Sequence, residues 1–469
     1  MLNTEEYAIG FKKGNQALCD IVNADLQKLA NDGKVAELAE KYEPVSMQGQ
    51  PPILWDHAKG VNVYDREGNC WLDFSSGVVV ANSGHCNSKV QEAIIETAEN
   101  GLLHSYCFLT KQRGELEAYI SNMVPIPDNR VFLLSTGAET TECAVKLART
   151  YGIQKGGKEK ITIIGFQNAF HGRTLGSQMA GGSEGGKEWI VNKDADMQQV
   201  PFPNAFLYDW ADEENPLYSD EACFDEFLNA LKVRGIKPNQ IAGIMTETFQ
   251  GGWVQLMPKG FVKKLREFCT EHDILLIFDE VQAGFGRTGK LFGFLHYEVT
   301  PDLICCGKGI SSSLPLSCVI GRSDVMNLYG PNEMTSTHSG NPVCSAAALA
   351  NLHYIVEQDL AGNAKKMGNL CERLLRELQR KHEDVIGRVN GVGLVWGIIF
   401  TKTKTKQMDC DFAHDVVEAA FRKGLLFFAP VGSGATIKVC PPLIIEEEAL
   451  REGISVLDEA IQCAKDSRK

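Results

Sequence analysis

Five short apolar runs, at 131–134, 161–164, 241–245, 274–278 and 303–306, limit what this chain can fold into. Each is unalternating, rich in β-forming residues and bounded by turn formers, the composition of strands buried on both faces of a parallel sheet. Helical patterns stand between most of them, clearest over 139–151 and 259–272. Strands alternating with helices predict β-α-β units and an α/β fold with a large, doubly wound, mainly parallel sheet. A long helix expected from about Asn341 leads into mixed elements, including 393–400 and 436–439. Residues 49–340 therefore read as a large domain whose first part joins a smaller α+β C-terminal domain, 341–469.

Residues 1–48 read as a helical appendage. Asn15 is a candidate N-cap for a helix with Leu18, Ile21, Val22, Leu26 and Leu29 on one face, closed by Asn31-Asp32-Gly33. A second short helix carries Val35, Leu38, Ala39 and Tyr42 and ends at Pro44. The run 5–43, with Tyr7-Ala-Ile-Gly-Phe-Lys-Lys-Gly-Asn15, resembles the C-terminal tail of bacterial amino-acid-binding proteins of transport systems. Such a binder needs two lobes that this segment lacks, so helix packing is the expectation.

Charge and cysteines narrow the function. Lys plus Arg number 47 against 60 Asp plus Glu, and a net charge of −13 repels nucleic acid and anionic membranes. The 15 cysteines are scattered, odd in number and without a Cys-x-x-Cys pair. They read as the reduced thiols of a cytoplasmic enzyme, with no metal site expected. Residues 1–10 hold two glutamates and no apolar core, and no stretch reaches the roughly 18 apolar residues of a span. Neither export nor membrane anchoring is expected.

Two motifs mislead. Gly284-Phe-Gly286-Arg-Thr-Gly289-Lys290 approaches both the dinucleotide fingerprint and the P-loop. Leu291 stands where a P-loop needs Ser or Thr, and no convincing helix follows to receive phosphate. Gly181-Gly-Ser183-Glu-Gly185 has the nucleophile-elbow spacing without a strand to feed it.

A better constellation begins at Asp279, directly after the run 274–278, where α/β sheets place their ligands. Lys308 emerges from the next run between Gly307 and Gly309. An ammonium so placed either snorkels to solvent or is used covalently. A carboxylate and a lysine at neighbouring strand ends suit pyridoxal phosphate, whose aldehyde takes the amine and whose pyridine nitrogen pairs with the acid. Ser135-Thr-Gly137-Ala138-Glu139 supplies a strand end, a glycine turn and a helix start for the phosphate.

Together, Ser135-Thr-Gly-Ala-Glu-Thr-Thr-Glu-Cys-Ala-Val-Lys146, Ala169-Phe-His-Gly-Arg-Thr174, Phe278-Asp-Glu-Val-Gln-Ala-Gly-Phe-Gly-Arg-Thr-Gly289, Gly307-Lys308-Gly309 and Thr337-His-Ser-Gly-Asn-Pro342 resemble the class III pyridoxal-phosphate aminotransferases. The resemblance runs over roughly 50–465 and implies a fold type I transferase, pyridoxal 5'-phosphate as cofactor, and a homodimer. It implies Lys308 as the Schiff-base lysine and proton shuttle, and Asp279 as the pyridine-nitrogen partner. Gly137 and Ala138 match the phosphate cup, and Thr337 a threonine that reaches the phosphate of the other subunit. Phe170 is expected to stack on the ring with His171 beside it, Val281 to pack on the opposite face, and Gln282 to bond the phenolic oxygen. Glu247 matches an acid near the cofactor and its histidine. Arg173, Val78 and Lys438 are the substrate residues it implies, for an amine, ω-amino acid or amino acid and a keto acid.

Departures from the family bear on the acceptor. Many members read Glu-Pro-x-Gln-Gly-Glu-Gly-Gly where this chain has Glu247-Thr-Phe-Gln250-Gly-Gly-Trp253, one residue shorter and without the second glutamate. In relatives that use 2-oxoglutarate that glutamate pairs with a C-terminal arginine, and here Lys438 stands in the matching Ala435-Thr-Ile-Lys438-Val-Cys-Pro-Pro442. Lysine lacks the two-pronged grip on carboxylate, which leaves pyruvate or another amino-acid pair open. The same fold hosts racemases, and those compared carry an aspartate near the missing glutamate. Its absence favours transamination over the racemase or epimerase alternative, and a non-catalytic amino-acid binder is the remote one.

Overall fold

In a computed structural model, which describes residues 34–203, 219–403 and 405–468, all five apolar runs form strands of one seven-stranded sheet. Its spatial order is Asn129–Leu134, Ser317–Arg322, Leu303–Cys306, Leu275–Asp279, Ile241–Glu247, Thr162–Phe166, Met197–Val200. The four ladders from Leu303–Cys306 outward to Met197–Val200 are parallel. Every residue of Ile241–Glu247 and Leu275–Asp279 is buried, which explains their unalternating sequence.

Two strands were not expected. Met197–Val200 reads Met-Gln-Gln-Val, too polar and too short to announce itself. Ser317–Arg322 pairs antiparallel with both neighbours, because the stretch 307–316 is too short for a crossover helix. The sheet is thus mainly parallel, as expected, with one antiparallel strand set between 129–134 and 303–306.

Helix Gly137–Gly156 follows the first strand, and Lys259–Glu271 precedes Leu275–Asp279 with Phe261, Val262, Leu265 and Phe268 turned into the core. The long helix expected from Asn341 is two. Asn341 caps Pro342–Glu357, and a left-handed Asp359, φ 45°, restarts the chain as Leu360–Lys381. Ile386–Val392, Val395–Phe400 and Thr436–Val439 form an antiparallel sheet, with Gly393 at φ 57° in the hairpin turn. A further sheet joins Trp55–Lys59, Asn62–Asp65 and Cys70–Asp73 to Leu425–Leu426, so chain from both ends meets in one layer.

The chain divides into two compact units, 1–54 and 55–469. In the first, residues 34–42 are helical and stop before Pro44, and Val45–Met47 adds one 3-10 turn. The helix expected over 18–29 lies outside the described residues. Among the described residues no helix is long and apolar enough to cross a membrane.

Candidate active site

Three adjacent parallel strands end together in the second unit. Glu247 closes one, Asp279 stands opposite it in register at the end of the next, and Cys305 faces Asp279 from the third, just before Lys308. Their carboxyl ends open on a cavity of about 220 Å³, lined by Gly137, Ala138, Phe170, His171, Gly172, Glu247, Asp279, Val281, Gln282 and Lys308.

Lys308 starts a single 3-10 turn in left-handed conformation, φ 45°. A side chain there costs about 1–2 kcal/mol, and Asn351 Nδ2 braces the turn by donating to the carbonyls of Gly309 and Ile310, each at 2.9 Å. Burial lowers the pKa of the Lys308 ammonium against the pull of Asp279 and Glu247. More of it is then the free amine that attacks an aldehyde.

Asp279 Oδ2 lies 2.8 Å from His171 Nδ1, and its Oδ1 accepts from Val281 N at 3.0 Å. The carboxylate only accepts, so Nδ1 carries the proton. Burial pushes the imidazole down, but the Asp279 hydrogen bond and charge, with Glu247 behind, outweigh it and raise its pKa. His171 Nε2 is buried without a partner among the described residues. Glu247 accepts from Phe170 N at 3.1 Å and Gly251 N at 3.0 Å. Burial, eased by His171 and those two donors but reinforced by Asp279, pushes its carboxyl up to about 7.

The anion end of the cavity is a helix start. Thr136 Oγ1 accepts from Glu139 N at 3.3 Å while Glu139 Oε2 accepts from Thr136 N at 2.8 Å, a capping box. The box spends neither the Gly137 nor the Ala138 N–H, and both stand where the helix dipole favours an anion. Gly137 is needed for close approach, since a Cβ there would lie 2.9 Å from Val281 Cγ1.

Nine of the residues singled out in the sequence therefore line one cavity, and Gly172 joins them. Four lie elsewhere. Arg173 is exposed with no hydrogen bond or ion pair among the described residues, and Thr337 is exposed. Val78 is 47% exposed and held at φ 64°. Lys438 is buried outside the lining, with Nζ 2.7 Å from Gln282 Oε1.

Pyridoxal phosphate fits this donor set. Two spare N–H groups suit its phosphate, Lys308 its aldehyde, the Asp279 carboxylate a protonated pyridine nitrogen, and the orphaned His171 Nε2 marks polar space beside it. Sequence reasoning missed Asn82, Arg287 and Asn351, which brace the site from behind. Its only signal for them was a polar residue in an apolar or glycine-rich context.

The class III aminotransferase family model matches residues 45–461. An acetylornithine aminotransferase of Caldanaerobacter subterraneus subsp. tengcongensis is 33% identical over 424 residues, 90% of this chain and 98% of that protein. A leucine/methionine racemase of Thermococcus litoralis is 31% identical over 439 residues, 92% of this chain and 96% of that one. The solved structure of a pyridoxal-phosphate-bound amine transaminase from an uncultivated Pseudomonas species matches with TM-score 0.82 and 27% identity, over 88% of this chain and 95% of its own.

Proposed function

This chain belongs to the class III aminotransferases, enzymes that use pyridoxal 5'-phosphate, and from that premise we propose how its own residues carry out transamination. Bound pyridoxal phosphate supplies an electron sink for the pair released when a substrate amine loses its α-proton. Lys308 tethers the cofactor through its amine, then takes and returns that proton. Asp279 keeps a proton on the pyridine nitrogen, with His171 fixing the carboxylate. Gly137 and Ala138 hold the phosphate through their N–H groups, Phe170 and Val281 sandwich the ring, and Gln282 donates to the phenolic oxygen. Glu247 anchors the Phe170 and Gly251 backbones beside the ring.

The observation that carries this reading is the convergence of Glu247, Asp279 and Lys308 from three neighbouring strand ends on one cavity. Borohydride treatment of the purified protein, followed by peptide mapping, is expected to leave one cofactor mass on Lys308. An unmodified Lys308, or cofactor on another lysine, refutes it.

The reaction is ping-pong, moving an amino group from an amine, ω-amino acid or amino acid to a keto acid, with Arg173 and Val78 meeting the substrate. Residues 49–340 serve as the cofactor domain and 341–469 as the smaller one, in a cytoplasmic homodimer where Thr337 reaches the partner's phosphate. Supporting the dimer, Leu103, Phe108 and Leu109 are exposed, and the rings of His104 and His338 lie 5.4 Å apart, which brings that apolar stretch beside Thr337. Sedimentation at twice the chain mass is expected, and a monomer at micromolar concentration refutes it. The likeness of residues 5–43 to a transport-protein tail adds no ligand site to this reading.

A second reading is racemisation, favoured by the Thermococcus litoralis relative. One enantiomer incubated in deuterated water without keto acid separates the two: racemisation with solvent deuterium at Cα, and no amino group retained by the cofactor, overturns transamination.

A further inference from the structure

Lys438 lies in Thr436–Val439, a strand buried along its whole length, and is only 3% exposed. Its ammonium pairs with no carboxylate among the described residues. It sits 5.6 Å from the Phe249 ring centre and 6.0 Å from that of Phe428, and among the described residues its one hydrogen bond is to Gln282 Oε1 at 2.7 Å. Burial, helped by the like charge of Lys308, pushes it down to about 8. An ammonium this deep needs compensation, and two aromatic faces with one amide oxygen provide it.

The chemistry of that contact fixes the amide. A lysine ammonium has three donors and no acceptor, so the Gln282 atom facing it is the oxygen, and the other terminal atom is the NH2. That NH2 stands beside Gly251, where a Cβ would lie 2.5 Å from Gln282 Nε2 and 2.9 Å from Glu247 Oε1. Glu247 and Gln282 both line the cavity. Lys438 stands outside that lining, behind Gln282.

We propose that Lys438 is a positioning residue that acts through Gln282: by occupying Oε1 it locks the side-chain amide with its donor end toward the cofactor, and it does not itself bind the substrate carboxylate. This rests on the reading that Gln282 donates to the phenolic oxygen. A free amide presents its acceptor as readily as its donor, and an acceptor there repels an oxygen anion. The absence of a side chain at Gly251 leaves room for the locked orientation.

The test is the pH midpoint of the bound cofactor's visible absorbance, with cofactor Kd from titration of the resolved protein. Lys438→Met is expected to raise the midpoint by about one pH unit and Kd about tenfold, the size of one lost charge-assisted hydrogen bond. Gln282→Leu is expected to do the same, and the two together no more than either alone. Lys438→Gln, uncharged and shorter, is expected to move the midpoint in the same direction and guards against misfolding of the methionine variant. If Gln282→Leu shifts the midpoint and neither Lys438 variant does, or if Lys438→Met still adds its full shift in the Gln282→Leu background, this proposal falls alone. If Gln282→Leu itself moves nothing, the phenolic-oxygen reading falls and takes the proposal with it.

Discussion

Replacing Glu247 by glutamine tests the electrostatics of the site. Burial lifts this carboxyl from its ordinary 4.5 to about 7 in the folded chain. The folded value is the higher one, so the native state holds the proton more tightly than the unfolded chain. Its contribution to stability is therefore complete below about pH 4.5 and is lost as pH rises through about 7. Across that gap, at about 1.36 kcal/mol per pH unit, the loss comes to about 3 kcal/mol. Glutamine does not titrate, but it keeps a single acceptor and turns an NH2 against either the Phe170 or the Gly251 N–H, costing about 1–3 kcal/mol at every pH. The variant is thus less stable than wild type at pH 5 and level with it, or above it, at pH 8. Over 469 residues, an unfolding entropy of about 2.1 cal/mol/K per residue makes a 3 kcal/mol swing about 3 °C in Tm. Scanning calorimetry of the cofactor-free proteins at both pH values reads it. A Tm offset between variant and wild type that is the same at pH 5 and pH 8 refutes the reasoning.

Gly137→Ala puts a methyl against Val281 and is expected to weaken cofactor binding about tenfold, and in a Val281→Ala background the same change is expected to cost much less; fluorescence titration of all four proteins decides, and an equal loss in both backgrounds means the clash is not the cause. Asp279→Asn removes the anion that His171 and the pyridine nitrogen share, so turnover drops at least about 100-fold with cofactor still attached to Lys308. Activity close to wild type would sink the assignment. With Lys438 bonded to Gln282 and no glutamate after Gln250, pyruvate is expected to exceed 2-oxoglutarate as acceptor by about tenfold in kcat/KM. Coupled measurement of keto-acid consumption tests this, and the opposite order contradicts it.

The strand ends were legible because burial on both faces forces unbroken apolar runs, and a charge just past such a run has few purposes. Asp279 and Lys308 were found that way, whereas Glu247 was singled out by family resemblance. Gly137 and Ala138 were legible for a similar reason, as a helix start straight after a strand. The surroundings were not. Ser317–Arg322 owes its direction to connection length rather than composition, and the break at Asp359 hides inside a continuous helical pattern. Lys438 was recognisable only by what it replaces. Periodicity places it in a strand, whereas its partner Gln282 is 156 residues away and is set by tertiary packing.

The glycine-rich stretch at 284–289 acquires a different meaning in three dimensions. Gly286 and Gly289, at φ 95° and 83°, turn the chain so that Arg287 is fully buried. Its guanidinium donates to the carbonyls of Leu394 at 2.9 Å and Pro441 at 2.5 Å, to Asn82 Oδ1 at 2.8 Å and to Ser76 Oγ at 3.3 Å. All four acceptors are neutral, and burial pulls the group down to about 10. A buried cation without a carboxylate partner is costly, so what it secures matters. Ser76, Gly77, Val78 and Val79 are all left-handed, at φ 50°, 57°, 64° and 65°, and each non-glycine there costs about 1–2 kcal/mol. Asp73 Oδ1 holds the entry to this turn by accepting from Ser75 N at 2.7 Å and Ser76 N at 3.1 Å, and Arg287 holds Ser76 from behind. Asn82, the other side chain that Arg287 bonds, packs directly against Gly309, next to the strained Lys308. One buried arginine thus braces both the turn bearing Val78, proposed to meet substrate, and the turn bearing the lysine proposed to hold the cofactor. Strain at the two turns persists because Arg287, together with Asp73 at one turn and Asn351 at the other, opposes it from outside the cavity.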